Sequence, residues 1–219
     1  IAPPDDIKAK YEEGVAFMNN FQFGKAIPLF YACQRANPKN VTYGSQLAYC
    51  YYQQGNYAES KIFYKSILKL DSLNATSISY LGLIYEREQN YPIASGYYQQ
   101  LLDIDSTNSY YFKQNAAMAL KMGKTLGAMA FYNRAHQLNK ADIGVITELS
   151  ELYLSMDAPD IASQFIEKGL HLNQDNFALR YVNARLKNKQ KDNHGVIENI
   201  EHCMALGDSI VYYQKLLGA

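Results

Sequence analysis

The sequence predicts an all-α chain made of six copies of one antiparallel helix pair. Three observations carry that expectation: a 34-residue period kept without insertion or deletion, helical spacing of the conserved-type columns inside each copy, and few glycines and prolines with no alternating strand pattern. Two columns hold small residues, Gly14, Ala48, Gly82, Ala116, Ser150, Ala184 and Ala26, Ser60, Ala94, Ala128, Ala162, Val196. Two hold mostly aromatic or branched ones, Phe17, Tyr51, Tyr85, Ala119, Tyr153, Lys187 and Phe30, Tyr64, Tyr98, Tyr132, Ile166, Ile200. Spacings of three and four put each small residue and its larger partner on one helix face. Small residues let two helices come close, and the rings fill the space beside them.

Taken in order, residues 1–6 form a lead segment and the copies are cut at 7–40, 41–74, 75–108, 109–142, 143–176 and 177–210. Turns between the two helices of a copy fall at Gln54-Gly55-Asn56, Gln89-Asn90 and Met122-Gly123-Lys124. In copy four, Asn115 and Ala119 stand where large apolar residues are usual, which predicts looser local packing. Copy six has Asn183 and Lys187 where copy two has Leu47 and Tyr51, as a terminal cap with a polar face would. Residues 211–219, "VYYQKLLGA", suit a capping helix or the start of a further first helix. One pair cannot bury its apolar face, so neighbouring copies must stack.

Composition narrows the function classes. Basic and acidic residues balance at 21 each, which gives no electrostatic reason to expect nucleic acid or an anionic membrane as partner. No apolar run is long enough to span a bilayer. Cys33, Cys50 and Cys203 cannot all pair and form no C-x-x-C, so redox logic leaves the compartment open between cytoplasm and a bacterial periplasm or exterior. The start at Ile1 suits either a processed signal peptide or a trimmed chain.

Catalytic and metal constellations do not emerge. No phosphate loop, nucleophile elbow or H-E-x-x-H occurs, so no enzyme activity, metal or cofactor is expected. His136 and His171 lie on second helices of adjacent copies, nearly in one column, and are read as exposed. Glu148 and Glu151 are read as a solvated face. Cys33 and Cys203 share a core column with Ile67, Leu101 and Ala135, and Cys50 is expected to face inward. Two sequons, Asn40-Val41-Thr42 and Asn74-Ala75-Thr76, sit at copy junctions. Asp71-Ser72, Asp105-Ser106 and Asp208-Ser209 lie at copy junctions and are read as turn residues.

The segment "LAYCYYQQGNYAESKIFYKSILKLD" at 47–71 resembles the tetratricopeptide repeat, through Leu47, Ala48, Tyr51, Gly55, Tyr57, Ser60, Tyr64 and Ile67, and the period extends that resemblance over nearly the whole chain. The repeat-closing proline of that family is present only as Pro38. The resemblance implies a right-handed superhelical solenoid whose first helices line a concave groove for an extended or helical peptide. With Leu47, Ala48 and Tyr51 committed to the core, residues a third of a turn away, Ser45, Tyr49 and Tyr52, face that groove. The period then adds Tyr11, Val15 and Met18, Leu83 with Arg87, Lys113, Glu151 with Leu154, and Arg185. In the subclass that clamps a terminal carboxylate, Lys and Asn stand where this chain has Tyr11 and Val15. Tyr49, Thr76 and Tyr80 likewise replace its later polar members, so no carboxylate clamp is expected.

The resulting expectation is a non-catalytic interaction module that binds a peptide or protein segment. Tyr11, Val15, Met18, Tyr49, Tyr52 and Leu83 would supply contact area, while Arg87, Lys113, Glu151 and Arg185 set register. Replacing Tyr49 and Tyr52 together by alanine is expected to abolish capture at little cost in stability. Two other readings are a regulatory or targeting arm of a larger enzyme or sensor, and an envelope-assembly scaffold in the periplasm.

Overall fold

A computed structural model describes residues 4–205, so the expected cap at 211–219, the end of the sixth copy and Asp208-Ser209 lie outside the described residues. Within that span every regular element is an α-helix, and there are twelve. First helices are α1 (Pro4–Asn19), α3 (Val41–Gln53), α5 (Ala75–Arg87), α7 (Ser109–Lys121), α9 (Ile143–Ser155) and α11 (Phe177–Lys189). Second helices are α2 (Phe23–Ala36), α4 (Tyr57–Leu68), α6 (Tyr91–Ile104), α8 (Thr125–Leu138), α10 (Pro159–Leu172) and α12 (Asn193–Ala205). The chain divides into two compact units, 1–106 and 107–219. Inside each unit every helix packs on the next in sequence.

The period persists in the backbone. At each turn inside a pair one residue is left-handed: Phe21, Gly55, Gln89, Gly123, Asp157 and Lys191, with φ between 57° and 76°. The hydrogen bonds are those of a Schellman corner, illustrated by Gly55 N–H to Tyr52 C=O at 3.0 Å and Asn56 N–H to Tyr51 C=O at 2.9 Å. First helices also start on a common cap. Side chains of Asn40, Asn74, Asn108, Asp142 and Asn176 accept from N–H groups of Tyr43, Ser77, Tyr110, Val145 and Leu179. Both sequon asparagines thus serve as helix caps. Asp71 Oδ1 accepts from Leu73 N–H at 3.2 Å, which makes the Asp71-Ser72 pair a turn.

The small and aromatic columns meet as their spacing requires. A Cβ on Gly14 would stand 2.9 Å from the Phe30 ring, and one on Gly82 would stand 3.0 Å from Tyr98. Ser60 Oγ donates to Ala48 C=O across the pair at 2.9 Å, so the helices touch backbone to side chain there. Outside this contact, parallel stacked rings join the two helices of a pair: Tyr51 on Phe63, Tyr85 on Tyr97 and Tyr153 on Phe165. Copy four lacks that partner at Ala119, and its Phe131 pairs with Phe112 instead, 6.3 Å between centroids.

Copy six departs from the column pattern. Gly195, Asn199 and Cys203 are the buried residues of α12, while Val196 and Ile200 are only half-buried. The cause is polar. Asn199 Oδ1 accepts from Asn183 Nδ2 at 3.0 Å and from Arg180 at 3.3 Å, and Asn199 Nδ2 donates to Gly195 C=O at 2.8 Å. A satisfied amide takes the place filled by stacked rings in earlier copies.

Candidate functional site

In the first unit, the residues expected to line a groove are largely engaged with the core. Tyr11 touches the rings of Phe30 and Tyr43, at 5.8 and 5.2 Å. Val15 and Met18 pack on the cluster of Ala26, Phe30, Leu47 and Cys50. Tyr49 sits edge-on between Phe23 and Tyr80, at 5.9 and 5.8 Å, and so bridges three copies. Tyr52 meets Tyr57 and Tyr80, and its hydroxyl accepts from Arg87 Nε at 3.1 Å. Leu83 is half-buried and Arg87 exposed. Replacing Tyr49 and Tyr52 by alanine would delete four edge-to-face or tilted ring contacts. A fall in melting temperature is therefore expected of that double variant, where the sequence reading expects little cost.

A cleft of about 500 Å³ opens in the same unit. Its walls come from Met18 on α1, from Thr42, Ser45, Gln46 and Tyr49 on α3, and from Asn74, Thr76 and Tyr80 at the start of α5, closed by Val41 and Tyr64. Two of the expected residues, Met18 and Tyr49, are in it, whereas Tyr11, Val15, Tyr52, Leu83 and Arg87 are not among its walls. The clamp-position substitutes Tyr49, Thr76 and Tyr80 come together here. None of the wall residues carries a formal charge.

Tyr64 is the residue that sequence reasoning missed. It is 0% exposed and lies in the wall, yet its hydroxyl has no hydrogen-bond partner. Tyr98, in the same column one copy later, donates to Glu86 at 3.0 Å. Burial foremost, with Tyr80 and Tyr49 adding, pushes the Tyr64 phenol well above the usual tyrosine range, so it stays protonated. The Tyr80 ring lies parallel to it, 5.0 Å between centroids. The sequence signal was the hydroxyl itself, at a core position where Phe30 needs none.

In the second unit the expected charges satisfy one another. Lys113 Nζ bonds both carboxylate oxygens of Asp142, at 3.0 and 3.1 Å. Arg185 pairs with Glu151 and lies over the Tyr181 ring. Leu154, expected at the groove, is 5% exposed and belongs to the core with Ala162, Ile166, Val182 and Leu186. Glu148 is half-buried rather than solvated, and burial followed by Glu151 raises its carboxyl above the ordinary range. All three cysteines are free and buried. Burial pushes the Cys50 thiol up to about 12 and raises Cys33 and Cys203. Among the described residues no group of three or more His, Cys, Asp or Glu is placed to hold a metal, and no helix is long and apolar enough to cross a membrane.

Capped, corner-latched helix pairs on a 34-residue period define a helical-repeat protein, and comparison specifies the class. Residues 45–72 match the tetratricopeptide repeat family model. A solved structure of Pseudomonas aeruginosa PilF superposes with a TM-score of 0.78 at 16% identity, covering 98% of this chain and 97% of that one. A MamA structure gives 0.70 at 17%, covering 79% and 94%. YrrB, described as a tetratricopeptide-repeat protein with an unusual peptide-binding site, gives 0.69 at 15%, covering 87% and 98%. No curated protein matches the chain. Residues 45–72 thus match a tetratricopeptide repeat, and the chain has the fold of that class.

Proposed function

We propose that the chain is a non-catalytic interaction scaffold whose cleft on α1, α3 and α5 takes an uncharged, extended segment of a partner protein. The fold shared with tetratricopeptide-repeat proteins, one of them described by its peptide-binding site, supports the scaffold role. The observation that carries the choice of cleft is the Tyr64 hydroxyl. A buried donor without an acceptor costs about 1–3 kcal/mol, and a carbonyl presented by a bound segment would recover that loss. Walls of Thr42, Ser45, Gln46 and Thr76 offer further neutral hydrogen bonds, while a charged segment would be desolvated there with no counter-charge.

Tyr64→Phe tests this directly, because it removes one oxygen and keeps the ring on Tyr80. Peptides selected from a random phage-displayed library on the full chain should be poor in charged residues at their core. Their affinity for the Tyr64→Phe variant should drop about tenfold, while its melting temperature holds or rises. Equal affinity for both proteins, or selected cores rich in Asp, Glu, Lys or Arg, would overturn the reading.

A further inference from the structure

The second helices of the second unit carry a different kind of hollow. His136 on α8 and Lys140 just beyond it face Glu167, Lys168, His171 and Leu172 of α10 across a pocket of about 640 Å³. Two ammonium groups against one carboxylate leave a net positive charge before either imidazole is protonated. Ser163 Oγ donates to the Glu167 carboxylate at 3.1 Å, which ties back the one anion present.

The imidazole of His136 makes this more than a patch of surface lysines. Its ring stands edge-on to Phe165, 5.2 Å between centroids, and its Nδ1 is buried with no hydrogen-bond partner. Lys168 Nζ lies 5.7 Å from the centroid of the same Phe165 ring, so one aromatic floor holds the imidazole and a cation. Burial first, then Lys168 and Lys140, makes His136 harder to protonate than an ordinary histidine. The buried His136 Nδ1 is left without a partner, and the two ammonium groups outnumber the one carboxylate. Leu172, half exposed, adds an apolar wall that an inorganic ion would not use.

We propose that this pocket binds an organic oxyanion, a phosphate or carboxylate group carried on an apolar body. The anionic oxygens sit between Lys140 and Lys168 and accept from His136 Nδ1–H, while the apolar body lies against Leu172. The site is independent of the cleft on α1, α3 and α5.

Phenyl phosphate, benzoate, phenol and inorganic phosphate, each titrated into the full chain, test the proposal by the NMR signals of the His136 and His171 rings. Phenyl phosphate or benzoate should give saturable shifts, with the tighter of the two identifying the anion. Inorganic phosphate should bind more weakly, and phenol should not saturate. A bound anion should also raise the protonation midpoint of His136, against burial, Lys168, Lys140 and a protonated His171, and alongside the Glu167 carboxylate. Lys140→Ser and Lys168→Ser should each weaken binding by up to about fivefold. His136→Phe keeps a ring on Phe165 and should abolish binding with its melting temperature retained. Absence of saturable shifts with both organic anions, equal binding of phenol, or unchanged affinity in all three variants would overturn it.

Discussion

Glu148 shows how much of a side chain's behaviour comes from its neighbours rather than its type. Three residues before Glu151 on one helix, it has the spacing of a solvated acidic face, yet its carboxyl is raised by burial and then by Glu151, with Lys113 and Lys121 opposing. A folded-state value above the unfolded one favours the fold below the ordinary glutamate value of 4.5, and that contribution is lost as pH rises through the raised value. Above the ordinary glutamate value, the folded state's reluctance to ionise this carboxyl therefore destabilises it. Glu148→Gln should raise the melting temperature at about pH 7, with the gain vanishing toward about pH 4. A gain independent of pH would show that charge is not its cause. Tyr64 makes the same point for a neutral group: the column placed its ring correctly, but only coordinates reveal whether a hydroxyl finds an acceptor, as that of Tyr98 does.

At the scale of the helix, capping decides where each first helix begins. Asn74 occupies a column of Asn and Asp whose side chains accept from the first turn, and alanine there should cost about 1 kcal/mol in chemical denaturation. Asn74→Asp should cost much less, since the accepting oxygen remains. A similar loss in both variants would move the cause from the cap to the Asn74–Asp71 side-chain bond. This column was readable in the sequence as Asn40, Asn74, Asn108, Asp142 and Asn176, but two of its members drew notice as sequons instead. The turned face of α12 was not readable in the same way. Counting by 34 places Val196 and Ile200 inward, and only the pairing of Asn183 with Asn199 across the helices overrides that count.

At the scale of the molecule, period and residue type together gave all-α architecture, helix pairing and the small-to-ring contacts. They did not give the division near residue 106, which depends on how contacts are distributed. In repeat arrays stability is summed over neighbours, so a copy with a polar interior opens first. Hydrogen exchange should accordingly be faster in α11 and α12, around Asn183 and Asn199, than in α5, where Leu81 and Ile84 are buried with Tyr64 and Ile67. Equal protection would mean that the satisfied amide network is worth as much as the rings it replaces.

The left-handed corners add a consequence for how such pairs come apart. Four of the six, Phe21, Gln89, Asp157 and Lys191, hold a residue with a Cβ, at a penalty of about 1–2 kcal/mol each in isolation. Phe21 bears that load with its side chain 81% exposed. Such a corner is a latch under tension, closed by the two hydrogen bonds that span it. Once those bonds release, the dihedral relaxes and has no local reason to return until both flanking helices re-form. The two helices of a pair are thereby made to open together, and the grain of partial unfolding in this chain becomes the pair rather than the single helix.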